Sequence, residues 1–210
     1  MDIIRKEELT QILDEIVTTM EGAKDELIEL DGAMGDGDLG LTMVKGFTAV
    51  AEEIRTLDET DMGKIMMKLG LKMNATAPST MGTLVSTCFL KAAPAAKGKT
   101  EFTLADMVEM GRGAVAGVME RGKSKPGDKT MLDALYPAVE ALGAAAAAGD
   151  SLTDAWQKAY EAAKDGMEKT TSMQSVHGRA AYYQEKSVGR QDPGATAMMY
   201  IVSGIAKAVR

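Results

Sequence analysis

Cysteine and histidine are almost missing from this chain: Cys88 and His177 are the only ones in 210 residues. A lone cysteine excludes an intrachain disulfide and fits a reducing compartment. Its plainest role is that of a small apolar residue on a helix. Aromatic residues make up only 4% of the chain, whereas methionine numbers 17 and alanine is abundant, a mixture that favours helices over β-branched and aromatic strands. An excess of basic charge is also lacking. With 24 basic against 31 acidic residues and a formal net charge of -7, nonspecific attraction to nucleic acid or to an anionic membrane is not favoured. The N-terminal stretch carries Asp2, Arg5, Lys6, Glu7 and Glu8 without an apolar core. No run approaches the roughly 20 apolar residues of a membrane span. These absences predict a cytoplasmic, soluble protein. Absent too are the GxxxxGK[ST] phosphate loop, a strand-borne GxGxxG and the kinase catalytic motifs, so a nucleotide site would have to be of an unusual, all-helical kind.

What is present is helical periodicity. Leu9, Ile12, Leu13, Ile16, Val17 and Met20 make one face, and Met43, Val44, Phe47, Val50, Ala51 and Ile54 make a second. Further helices are predicted over roughly 61–74, 82–93, 103–120, 130–148, 151–171 and 193–208, about eight in all. Thr103 with Asp106 and Ser151 with Asp154 resemble capping boxes, and Asp192-Pro193 sets a cap residue before a proline at the first helical position. The alanine run 144–148 reads as close helix packing. The length suits one domain, 1–210. Short connections between amphipathic helices favour antiparallel neighbours, hence an all-α bundle or helical barrel.

Between the first two helical segments lies Asp31-Gly32-Ala33-Met34-Gly35-Asp36-Gly37-Asp38-Leu39-Gly40. Asp-Gly stretches are ordinary turns. Three carboxylates at one bend are harder to explain as packing, because two of them about 4 Å apart repel by roughly 4 kcal/mol at an effective dielectric of about 20. Oxygen ligands with no histidine or cysteine nearby point to a hard cation such as magnesium. Glycines 35, 37 and 40 are expected to supply positive φ and close backbone approach to a ligand. An EF-hand calcium loop fits worse: counted from Asp31, Asp36 falls where the glycine belongs and Thr42 where the bidentate glutamate belongs. The stretch reads as a metal and phosphate site.

Three other segments have loop character. The stretch 172–191 lacks helical pattern and contains His177 and Arg179, and long loops in compact domains are often functional. Residues 121–131 gather Arg121, Lys123, Lys125 and Lys129 around two glycines, with solvated loop charge as the simple alternative. The turn 77–83 offers small residues and hydroxyls before a helix, suited to phosphate on N–H groups or to ordinary capping.

Taken in order, Leu30-Asp31, Gly35-Asp36-Gly37-Asp38 and Gly40, then Arg121-Gly122-Lys123 with 126–131, then Gly178-Arg179-Ala180 with 191–196, resemble the L-subunit family of dihydroxyacetone kinases (DhaL) across nearly the whole chain. The resemblance implies an eight-helix antiparallel barrel with the nucleotide site at one end, holding ADP or ATP through two magnesium ions. By position it implies Asp31, Asp36 and Asp38 as metal ligands. It implies Leu39, Gly40, Leu41, Thr42, Thr80, Met81, Gly122, Met131, Arg179, Asp192, Pro193 and Gly194 as the nucleotide lining, and no side chain as a nucleophile. Implied partners are a K subunit that holds the ketone, a phosphohistidine protein of a phosphotransferase system where ADP is resident, and a second copy in a homodimer. Nucleic acid and membrane are not among them. The pattern is broken at Leu39, where histidine is common in the family, and at Met81, where serine is. These departures open the way to another short ketose such as erythrulose. His177 as a phosphoryl relay has no counterpart in the family. A nonenzymatic nucleotide-binding module acting on a transcription factor is the alternative reading of the same pocket.

Overall fold

The computed structural model describes residues 3–210, which leaves Asp2 of the charged N-terminal stretch outside the described residues. Eight α-helices run α1 Lys6–Gly32, α2 Leu39–Thr56, α3 Met62–Thr76, α4 Thr80–Ala96, α5 Leu104–Gly122, α6 Leu132–Ala148, α7 Leu152–Lys169 and α8 Pro193–Ala208. Each packs on the next in sequence, and α8 packs back on α1, so the ring closes. The predicted all-α barrel is therefore the observed architecture. Up-and-down threading of short connections puts 33–38, 77–79, 123–131 and 170–192 at one end and 57–61, 97–103 and 149–151 at the other. An antiparallel bridge ties Ile4 to Phe102 at that second end, each backbone N–H donating to the other's carbonyl at 2.9 and 2.8 Å.

Both predicted apolar faces turn inward. Leu13, Ile16 and Met20 of α1 meet Met43, Phe47, Val50 and Ile54 of α2 in one continuous core, joined by buried Met62, Leu69 and Met73 of α3. Unbranched methionine fills irregular gaps between helices, which is how a core so poor in aromatics closes. On α7, Ala155, Ala159 and Ala163 are wholly buried at four-residue spacing, letting neighbouring backbones come close. Among the described residues no helix is long and apolar enough to cross a membrane.

The predicted caps form. Thr103 and Asp106 exchange backbone and side-chain bonds, and Ser151 accepts from the Asp154 N–H at 3.1 Å. Asp192 accepts from the Ala195 N–H at 2.7 Å with Pro193 next to it. Several boundaries moved. α4 starts at Thr80 because Ser79 caps it, accepting from Gly82 N–H at 3.0 Å, and it continues through Pro94 to Ala96. Asp31 sits in the last turn of α1 rather than in the bend, and Leu39 to Thr42 form the first turn of α2. The patternless stretch 172–191 carries a 3-10 segment, Arg179–Ser187, kinked at Gln184.

Candidate nucleotide and metal site

The aspartate bend is built by the ends of two helices. Asp31 Oδ2 accepts the backbone N–H of Asp38 at 3.1 Å and of Leu39 at 3.4 Å, so the carboxylate on α1 caps α2. Only Gly37 of the three expected glycines takes positive φ, at 73°. Gly35 and Gly40 are required by contact instead: a Cβ on Gly35 would overlap Asp31 Oδ1, and one on Gly40 would overlap the Lys24 carbonyl of α1. The bend thus brings carboxylate oxygens of Asp31, Asp36 and Asp38 within 4.8 Å of one another. Asp38 is raised from its ordinary carboxylate value by burial first, then by the charges of Asp36 and Asp31, with Arg179 opposing. A donor set of three clustered carboxylates fits a hard divalent cation.

Arg179 reaches across from the α7–α8 connection and pairs with Asp36 at 2.6 Å, with both side chains substantially exposed. A cavity of about 1040 Å³ opens beside this pair, walled by residues of all four connections at that end. Of the residues expected to line a nucleotide, Leu39, Thr80, Met81, Gly122, Met131, Arg179, Asp192 and Pro193 are in its wall, as are all three aspartates. Gly40, Leu41 and Thr42 run down α2 away from that wall, and Gly194 faces the Met131 backbone and Asp192. Leu39 and Met81 are buried, so the departures from the family pattern stand on packed helix starts rather than in open loop.

The 123–131 loop is wired from within. Asp133, in the first turn of α6, accepts the N–H of Gly127 at 2.6 Å and of Thr130 at 2.7 Å. Asp128 accepts the Lys125 N–H at 2.9 Å and bonds His177 Nε2 at 3.1 Å, which docks the long α7–α8 connection on this loop. His177 is thereby accounted for as a polar tether. Asp192 is buried, and desolvation pushes its carboxyl up to about 7; the charge of Asp133 adds to this, while the N–H groups of Ala195 and Gly194 and the ammonium of Lys129 oppose. Sequence reasoning passed over Asn74 and Ser175 of the wall, neither of which belongs to a motif. It left solvated loop charge open as the simple alternative for Lys129, and at 2% exposed Lys129 is not that.

A family model, the DAK2 domain, fits residues 33–207. The chain belongs to the DAK2 domain family. Within it, the chain is 36% identical to the ADP-binding subunit DhaL of the PEP-dependent dihydroxyacetone kinase of Escherichia coli over 184 residues, 88% of each chain. It is 32% identical to the corresponding subunit of kinase 1 from Listeria innocua, covering 82% of this chain and 81% of that one. D-erythrulose kinase of Mycolicibacterium smegmatis matches at 31% over 96% of this chain but only 35% of its own length. Among solved structures, the dihydroxyacetone kinase of C. freundii superposes with a TM-score of 0.70 at 25% identity, covering 95% of this chain and 34% of that one. The same enzyme in complex with AMP-PNP and Mg2+ gives 0.72 at 24% identity, a likeness of fold. This DAK2 chain therefore spans about a third of the length of the C. freundii and M. smegmatis kinases and most of the E. coli and Listeria ADP-binding subunits.

Proposed function

We propose that this chain is the nucleotide-carrying subunit of a cytoplasmic short-chain ketose kinase, holding ADP or ATP through two magnesium ions and passing the phosphoryl group to a ketose, dihydroxyacetone or erythrulose, bound on a separate K subunit. The observation that carries the reading is the three-carboxylate cluster on the rim of a cavity large enough for a nucleotide, with Arg179 beside it. Asp31, Asp36 and Asp38 would hold the metal. Magnesium, when bound, supplies neutralisation of charge on the phosphate oxygens during transfer. The protein's own part is positioning. Arg179 offers a planar fork of donors to phosphate oxygens. The first turn of α4, from Thr80 and Met81, presents N–H groups at the positive end of a helix dipole. Leu39, Gly122, Met131, Asp192 and Pro193 complete the wall, with Gly40 to Thr42 and Gly194 behind it. Nothing here acts as a nucleophile.

The E. coli and Listeria relatives are named PEP-dependent kinases with an ADP-binding subunit, which supports a resident ADP recharged by a phosphohistidine protein. Self-association into a homodimer belongs to the same reading and is measured by sedimentation velocity. Native and denaturing mass spectrometry of the purified chain tests the core of it: ADP with magnesium should copurify or bind on addition. Turnover of dihydroxyacetone or erythrulose should be negligible for the isolated chain and appear when a K subunit is added. Rapid turnover by the chain alone would defeat the division of labour.

A further inference from the structure

Lys129 is the one cation in the 123–131 loop that points inward, and its backbone takes a φ of 60°, a left-handed conformation that non-glycine residues rarely adopt. Its ammonium donates to the carbonyls of Met173 at 3.1 Å, Ser187 at 2.6 Å and Arg190 at 2.6 Å. These acceptors stand at the two ends of the 173–190 segment, one where it leaves the barrel and two where it returns. An ammonium has three N–H donors. All three are taken, so none is left for a phosphate, although the side chain borders the cavity.

The geometry points to Lys129 as the positioning residue that closes the neck of the 173–190 loop and thereby holds Arg179 over the aspartates. This inference rests on the nucleotide reading above. Other bonds at the neck are single and short in reach: Gly189 N–H to the Thr171 carbonyl at 2.8 Å, Ser175 N–H to Ser187 Oγ at 2.9 Å, and Asp192 N–H to Thr170 Oγ1 at 3.0 Å. Only Lys129 joins both ends to a third element, the α5–α6 loop. Further out, the loop is pinned by the exposed pair of Arg179 with Asp36, which solvent screens, and by two contacts to Asp128 alone, the part-buried His177 side chain at 3.1 Å and the Val176 N–H on the Asp128 carbonyl at 3.3 Å. The Lys129 ammonium makes three charge-assisted bonds and grips both ends of the segment, whereas the contacts to Asp128 hold its first end alone.

Hydrogen exchange and nucleotide titration on the full chain separate this role from a general structural one. Lys129→Met keeps the length and removes the donors. Without nucleotide, amides of 175–190 should exchange roughly tenfold faster or more in the variant, the loss of one charged hydrogen bond, while those of α3 and α4 keep wild-type protection. With magnesium and ADP, the dissociation constant should rise about tenfold. Lys129→Gln, which retains two N–H donors, should fall between the two on both measurements. Unchanged exchange in 175–190, or acceleration spread evenly through the barrel, overturns the proposal, and so does failure of both variants to fold. Because the exchange is measured without ligand, a wild-type chain that binds no nucleotide would sink the functional reading and leave the neck tested on its own terms.

Discussion

Asp36 and Asp192 are both carboxylates of the cavity, and they respond to their surroundings in opposite ways. Asp36 is largely solvated and stands among like charges, so its removal costs the fold little and the metal much. Asp36→Ala should lower magnesium-dependent ADP affinity on the order of 1000-fold, the scale of a close charge pair worth about 4 kcal/mol at intermediate dielectric, with circular dichroism unchanged. Calorimetry returning wild-type affinity would remove Asp36 from the metal set. Asp192 is instead buried, with its carboxyl raised to about 7. Since its folded pKa lies above the unfolded value, the native state holds the extra proton between the two. The stabilising contribution is complete below about pH 4 and is lost as pH rises through 7. Asp192→Asn keeps an acceptor for the Ala195 N–H but does not titrate. The unfolding free energy of the wild type, from urea titration, should therefore fall relative to the variant between pH 4 and 7, by up to roughly 4 kcal/mol. Parallel profiles would show that Asp192 is not the titrating group.

Helix contacts decide which glycines matter. Gly166 of α7 lies against α6, where an added Cβ would overlap the Asp133 carbonyl and press on Pro137, both backbone-bound and unable to move cheaply. Gly166→Ala should cost about 1–3 kcal/mol. Scanning calorimetry should show the melting temperature falling by roughly 2–12 °C. Gly143 of α6 is the control. Its Cβ would make ordinary contacts at 3.6 Å to Arg112 and 3.7 Å to Val108, so Gly143→Ala should hold stability or raise it by up to about 1 kcal/mol. Equal losses in both variants would contradict the packing argument. The two glycines read alike in the sequence, each inside a helical period. So did the start of α4, where hydroxyls and small residues were legible as a turn while the bond from Gly82 N–H to Ser79, which sets the boundary, was not.

Closure of the ring makes the molecule one unit, with the cavity end assembled from four connections far apart in sequence. A ligand held by all four should stabilise the whole barrel. Magnesium with ADP at about 100 times its dissociation constant adds roughly 2.7 kcal/mol. Chelation with EDTA should then lower the melting temperature of the loaded chain by roughly 5–10 °C. An unmoved melting curve would uncouple the aspartates from nucleotide binding.

The sequence by itself determined the helices, the caps at Thr103, Ser151 and Asp192 and the aspartate bend, because each depends on residues within a turn or two: period, and Ser, Thr and Asp at helix starts. It also determined the family, through motifs that lie in order along the chain. Tertiary structure decided the rest. Lys129 reads as a loop charge until folding brings Met173, Ser187 and Arg190 around it. Asp192 reads as a cap until burial and Asp133 alter its proton affinity. Asp36 finds Arg179 only when α8 returns to α1 and closes the ring. Local pattern fixes what each segment becomes, whereas burial and long-range charge depend on which segments meet, and no window of sequence contains that.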